Sequence, residues 1–130
     1  MTGGTDADLT VGERFATALA SKDRDTLVEL FGVPLDFWAL TPGRHWVATD
    51  GATVIDDYVL GHWFGPHDNV ETLEKVTSDR VGTRGHVAYR LRVRRDGTLC
   101  AVEQQMYFDV GLDGRIGYAR MLCSGYCPVG

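Results

Sequence analysis

The dipeptide Asp96-Gly97 stands between two runs, residues 85–95 and 98–110, in which apolar and polar side chains alternate. A two-residue type I′ turn needs left-handed backbone at both central positions, and Asp-Gly supplies it at low cost. Such a turn locks the register of the two strands it joins. Arg95 then faces Thr98, Val93 faces Cys100, Leu91 faces Val102, Tyr89 faces Gln104 and Val87 faces Met106. These pairs share one mostly apolar face. The opposite face pairs Arg92 with Ala101, Arg90 with Glu103, Ala88 with Gln105 and His86 with Tyr107. The register demanded by the turn therefore also sorts the side chains into a buried face and a polar one, with an ion pair across it.

The rest of the chain reads around this hairpin. A further hairpin surrounds Gly111-Leu112-Asp113-Gly114. If Val110 pairs with Arg115, then Gly117, Ala119, Met121 and Cys123 join the buried face, and Tyr118, Arg120 and Leu122 the other. Strands are expected over residues 70–77, 85–95, 98–110 and 115–124. The N-terminal third reads as two helices. Thr10 and Glu13 match a capping box ahead of an apolar stripe of Val11, Phe15, Ala18 and Leu19, with a start near Asp6 as the alternative. Asp23 is placed to cap a short helix with Leu27, Val28, Leu30 and Phe31, and Gly32 to end it. Pro34 opens an extended run over residues 35–40, Thr41-Pro42-Gly43 reads as a turn, and a short strand covers 44–49. Asp50 caps a third helix whose stripe is Val54, Ile55, Tyr58, Val59 and His62, and Gly65-Pro66 stops it.

At 130 residues the chain is expected to be a single domain, residues 1–130, with 1–5 disordered. The first ten residues are polar and lack the basic start and apolar run of a secretory signal, so a cytoplasmic location is expected. No run is long enough to span a bilayer. The net charge of −5 argues against general nucleic-acid binding, which depends on neutralising phosphates. Arg90, Arg92 and Arg94 alternate with apolar residues and read as one polar strand face. The 3 cysteines, without a His-rich or second Cys pair nearby, are expected to be free thiols, Cys100 and Cys123 buried and Cys127 more exposed; no metal site is expected.

The order of elements resembles that of the nuclear transport factor 2-like superfamily, which includes SnoaL-like cyclases and ketosteroid isomerases. The residues that carry the resemblance are Ala18-Leu19-Ala20-Ser21-Lys22-Asp23 running into Leu30-Phe31, and Asp113-Gly114-Arg115-Ile116 before the last strand. The segments Phe37-Trp38-Ala39-Leu40-Thr41-Pro42 and Leu122-Cys123-Ser124-Gly125-Tyr126 resemble actinobacterial members of undefined function. The resemblance implies an α+β fold of cystatin-like type: a cone-shaped, curved antiparallel sheet with a mixed edge and three helices on its concave face. It implies a pocket inside the cone and, in many members, a homodimer through the convex face.

Carried onto this chain, the pocket is lined by Phe15 and Leu19 from the first helix and Tyr58, Val59 and His62 from the third. Tyr89, Leu91, Val102, Gln104, Met106, Met121 and Cys123 come from the sheet, and Trp38 and Trp46 complete the lining; the apolar bulk of Trp46 and of Trp63 suits a cavity rim or simply a core. The convex face carries Arg90, Arg92, Glu103, Gln105, Tyr107, Tyr118 and Arg120, a mixture of Arg and Tyr that suits an interface. Ketosteroid isomerases use a Tyr on the first helix, an Asp base on the first strand and a protonated Asp on the penultimate strand. Here Phe15 and Met106 fall at the first and last of these positions, and the base position falls near Trp38, two residues from Asp36. Isomerase chemistry of that kind is therefore not expected.

Acid–base chemistry of another kind would rest on His62, Asp36 or Tyr89, with Tyr89 and Gln104 orienting a substrate or satisfying each other. Asp36 reads more readily as a solvent-facing residue, and His62 as a helix-end or core residue. Three readings follow. The first is an apolar small-molecule binder without a cofactor. The second is a SnoaL-like enzyme acting on a hydrophobic metabolite. The third is an interaction module using the convex face.

Overall fold

The computed structural model describes residues 3–129, and side chains from residue 11 onward. In chain order the elements are α1 (Gly3–Ala20), α2 (Arg24–Glu29), β1 (Phe31–Thr41), β2 (Arg44–Ala48) and α3 (Thr53–Trp63). They are followed by β3 (Asp68–Val81), β4 (Arg84–Arg95), β5 (Thr98–Val110), β6 (Ile116–Cys123) and β7 (Cys127–Pro128). The 7-stranded sheet runs β2-β1-β6-β5-β4-β3, with β7 pairing β5. All pairings are antiparallel except β1 with β6. This is the mixed α+β sheet implied by the resemblance.

The β4–β5 hairpin has the register that Asp96-Gly97 dictates, from Arg95 opposite Thr98 to His86 opposite Tyr107. Asp96 and Gly97 have φ of 50° and 79°, the left-handed pair the turn requires. Val87, Tyr89, Leu91, Val93, Val102, Gln104 and Met106 are buried, and the alternate residues are more exposed. The β5–β6 pairing differs from expectation at its turn. Val110 pairs with Ile116, not Arg115, and a bulge between Asp109 and Val110 absorbs the difference. The bulge turns Ile116 into the core at 0% exposure while leaving Ala119, Met121 and Cys123 on the buried face.

The helices lie on that face. Val11, Phe15, Ala16, Ala18 and Leu19 form the buried side of α1. Gly12 lets this helix press against the sheet, because a Cβ there would lie 2.9 Å from Ser78 Oγ and 3.0 Å from Val87 Cβ. The Phe15 ring meets Phe31 edge-on at 6.1 Å and Tyr89 at 6.2 Å. Each such large apolar side chain, moved from water to the interior, contributes about 1.5–3 kcal/mol.

Three boundaries differ from the sequence reading. Helix α1 already runs from Gly3, so Thr10 and Glu13 lie inside it and not at its N-terminus. The expected disorder of residues 1–5 falls on Met1 and Thr2, outside the described residues, and on the first turn of α1. Helix α2 ends at Glu29 and β1 starts at Phe31, so Gly32 is a strand residue and not a left-handed stop. The Asp23 cap is present, its carboxylate accepting from Thr26 N–H at 3.3 Å.

Helix α3 begins as expected, with Asp50 accepting from Thr53 N–H at 2.8 Å. From Thr53 onward, however, it is wound as a π-helix, the winding in which an N–H bonds the carbonyl five residues back. Phe64 N–H, for example, bonds Val59 O at 2.7 Å. Gly61 permits this winding, since a Cβ there would sit 2.5 Å from the Asp56 carbonyl oxygen.

Candidate functional site

Tyr89, Gln104 and Cys123 stand side by side across β4, β5 and β6 and point into the cone. Tyr89 Oη donates to Gln104 Oε1 at 2.6 Å. Burial pushes the Tyr89 phenol well above its usual pKa, with the neighbouring Cys123 thiol adding to the effect. Tyr89 is therefore a fixed hydrogen-bond donor at neutral pH and not a base. The side-chain nitrogen of Gln104 is buried and has no hydrogen-bond partner among the described residues. Cys123 Sγ accepts from Gly125 N–H at 3.3 Å.

The walls around this row are apolar. Phe15, Leu19, Val59, Leu91, Val102 and Met106 are all 0% exposed, so no space wide enough for water touches them. They form one cluster with Met121, Trp46 and Trp63. The residues assigned to a pocket from sequence are thus brought together, but as a filled interior.

Two of them are not brought in. Trp38 is 48% exposed and lies on the outer sheet face, because β1 alternates and Leu35, Phe37 and Ala39 take the inner positions. His62 is exposed. The π winding of α3 places Trp63, five residues after Tyr58, where α-helical spacing would place His62. Tyr58 and Trp63 stack at 6.4 Å, and His62 is left edge-on against the outside of Trp46 at 5.3 Å. Tyr58 is half-buried and donates its hydroxyl to the Val47 carbonyl.

Sequence reasoning missed a charged cluster at one end of the cone. Asp68 is 8% exposed and receives Arg95 Nε at 2.7 Å, Arg95 Nη2 at 2.8 Å and Gly65 N–H at 2.9 Å. Arg95 also covers the Tyr126 ring at 3.6 Å, and the Tyr126 hydroxyl donates to Trp63 O at 2.6 Å. Lys22 donates to the carbonyls of Gly65 and Asp68 at 2.7 and 2.5 Å. The Arg95 hydrogen bonds, chiefly, hold Asp68 below the usual carboxylate range. Burial lowers the Lys22 ammonium and raises the Tyr126 phenol. These partners lie far apart in sequence, so no local motif announces them.

The outer face has a different character. Asp36 pairs there with Arg120, with carboxylate contacts at 3.1 Å, as its solvent-facing reading requires. Arg120 lies 4.7 Å from the Trp38 ring centroid and 4.1 Å from that of Tyr118. Arg90 bonds Glu74 at 2.8 Å and lies 3.5 Å from Glu103, its cross-strand partner. Arg92 reaches the same Glu74 at 2.9 Å. His86 bridges Asp79 and Gln105, at 2.6 and 2.9 Å, and stacks on Tyr107 at 4.6 Å. A groove of about 520 Å³ is lined by Lys75, Arg90, Glu103, Gln105 and Leu122 of this face and also by Tyr89, Gln104 and Cys123. Beside it, Trp38, Leu40, Val47 and Leu122 are each about half-exposed, on adjoining strands β2, β1 and β6.

Among the described residues no three His, Cys, Asp or Glu side chains are grouped so as to hold a metal, and no helix is long and apolar enough to cross a membrane. Cys100 and Cys123 are buried and Cys127 is exposed, all as free thiols.

A curved mixed sheet, helices on one face and an interior closed by α3 define the nuclear transport factor 2-like fold. Solved structures agree. An LEH-like epoxide hydrolase of Mycobacterium tuberculosis is 18% identical, with 92% of this chain and 84% of that one covered and a TM-score of 0.64. Bal32a, from a soil-derived mobile gene cassette, is 21% identical over 93% and 92%, with a TM-score of 0.66. An NTF2-like protein of unknown function from Mesorhizobium loti is 17% identical over 96% and 97%, with a TM-score of 0.65. No family model and no curated protein matches the sequence. At these identities the likeness is one of fold.

Proposed function

We propose that the protein is a small-molecule-binding domain whose site is the interior of the cone around Tyr89 and Gln104, with no covalent chemistry there. The observation that carries this reading is the Tyr89–Gln104 polar pair set in a mostly apolar interior, the usual make-up of a site that orients an apolar ligand by a few polar groups. The candidate acid–base groups are dispersed. His62 and Asp36 lie outside, and Tyr89 keeps its proton. A ligand enters by displacing packed side chains, so its binding should read out as added stability. The free thiols fit the reducing cytoplasm in which we place the protein.

Thermal unfolding with a panel of apolar compounds tests the proposal. The expected result is a concentration-dependent rise in Tm that survives His62→Ala and Asp36→Asn. Turnover of any compound that disappears in His62→Ala would move the reading to an enzyme.

A second reading is supported by the outer face, where the half-exposed Trp38, Leu40, Val47 and Leu122 adjoin Arg- and Tyr-rich strands. Apolar patches of this kind mark interaction sites. Paired charges of both signs beside the patch suit a self-complementary, two-fold contact. We assign this face to a homodimer.

A further inference from the structure

We infer that the ligand of the cone presents an uncharged hydrogen-bond acceptor, a carbonyl oxygen of a ketone, ester or amide, to the side-chain amide of Gln104. The inference rests on the binding role proposed above and adds the chemical class of the ligand.

The argument is an inventory of donors. Tyr89 brings one hydroxyl hydrogen and Gln104 two amide hydrogens, and a single hydrogen bond of 2.6 Å joins them. If the Gln104 amide is turned over, its nitrogen meets the Tyr89 oxygen instead, and the hydroxyl hydrogen is released. Either way the pair keeps surplus donors. Gln104 is 3% exposed, and its nitrogen is buried without a partner among the described residues. Leaving such a donor unmatched in an apolar interior is costly, which makes the row a strong recognition point for an acceptor. Trp63 Nε1, in the same buried cluster, is a second donor without a partner among the described residues. With the amide oriented as it is, both unmatched groups are donors, so a hydroxyl or amine hydrogen on the ligand finds no mate in them.

Charge decides the rest. Arg95 and Lys22 are engaged by Asp68 and by backbone carbonyls at the cone's end, Arg90 is paired with Glu74 and Glu103, and Lys75 is exposed on the outer face. A carboxylate brought beside Gln104 would be buried without a counter-ion, whereas a neutral carbonyl would not. The apolar walls accept the hydrocarbon that carries it.

The test uses acetophenone and ethylbenzene, which differ by an oxygen in place of two hydrogens, with benzoate as a charged third probe. Each is titrated into the ¹⁵N-labelled full chain, following the Gln104 side-chain NH₂ resonances. Acetophenone is expected to bind at least tenfold more tightly than ethylbenzene and alone to move the NH₂ pair. The preference should vanish in Gln104→Leu. Should that variant fail to fold, the wild-type resonances still decide. Equal binding of both neutral probes, or equal NH₂ shifts as from a bridging water, overturns the acceptor inference and leaves the cone as a binding site. Tighter binding of benzoate also overturns it. Failure of all three to bind overturns both readings.

Discussion

Tyr58 and Trp63 are five residues apart on α3, yet their rings stack on the same side of the helix, 6.4 Å apart and inclined by 30°. Only π winding puts i and i+5 on one face. Gly61 is what admits that winding, through the close approach of Asp56 O. Gly61→Ala is expected to force the last turns toward ordinary α geometry, rotate Trp63 out of the interior and cost more than about 2 kcal/mol, as a core side chain is displaced. His62→Ala should change stability by no more than about 0.5 kcal/mol, as for other surface sites. Urea unfolding of both variants checks the contrast. A larger loss for His62→Ala than for Gly61→Ala would refute this account of α3.

The Asp68–Arg95 pair makes stability depend on acid. Asp68 has a folded-state pKa below its unfolded value. Its contribution is therefore fully present above the unfolded pKa, near 4, and is lost as pH falls through the folded one. The Tm should drop below about pH 4, and the part of that drop due to this group should be missing in Asp68→Asn. At neutral pH the same variant is expected to lose roughly 2–3 kcal/mol, because Arg95 is left without its counter-ion. A Tm–pH curve for Asp68→Asn parallel to that of the wild type down to pH 3 would contradict this.

On the outer face, Leu122→Arg and Trp38→Glu place charges within the half-exposed apolar patch. The wild type is expected to run as a dimer and both variants as folded monomers in light scattering coupled to size exclusion. Circular dichroism should be unchanged, since neither side chain is part of the core. A wild type that is monomeric at tens of micromolar would remove the dimer reading.

Gly85 lies opposite Phe108, and a Cβ there would fall 2.6–2.7 Å from two atoms of that ring. Phe108 is fully buried and cannot swing into solvent. Gly85→Ala is therefore expected to cost about 1–3 kcal/mol by overpacking, despite alanine's better fit to a strand. A neutral or stabilising result in chemical denaturation would mean that the ring has room to yield.

How much of this was legible in the sequence varied with the range of the interaction. The β4–β5 register was readable pair by pair, because two adjacent residues, Asp96 and Gly97, determine it. The inward facing of Ala119, Met121 and Cys123 was readable too, although the bulge at Asp109–Val110 that buries Ile116 was not, since nothing in composition distinguishes a bulge from a longer turn. The position of His62 was misjudged because helical spacing assumes α winding, and the cue to the contrary was a single glycine. Trp38 was assigned to the pocket with the lining that the resemblance implies, but strand alternation around Phe37 and Ala39 turns it outward. The Asp68–Arg95–Tyr126 cluster left no trace in sequence, being assembled from a strand start, a strand end and the C-terminal segment. The Tyr89–Gln104 pair followed directly from the turn register.

The one parallel pairing in the sheet has its own consequence for how the chain assembles. Strand β1 lies against β6, with Phe37 beside Ala119 and Leu40 beside Leu122. Emerging from a ribosome, β1 therefore waits for most of the polypeptide before its inner neighbour exists, with only the short β2 to pair with meanwhile. The β4–β5 hairpin closes locally and early, while docking of β1 pays the entropy of a very long loop and comes late. Until that docking, the unpaired edge of β1 and its apolar side chains are open to any other extended segment, which makes this strand the exposed edge of the partly folded chain.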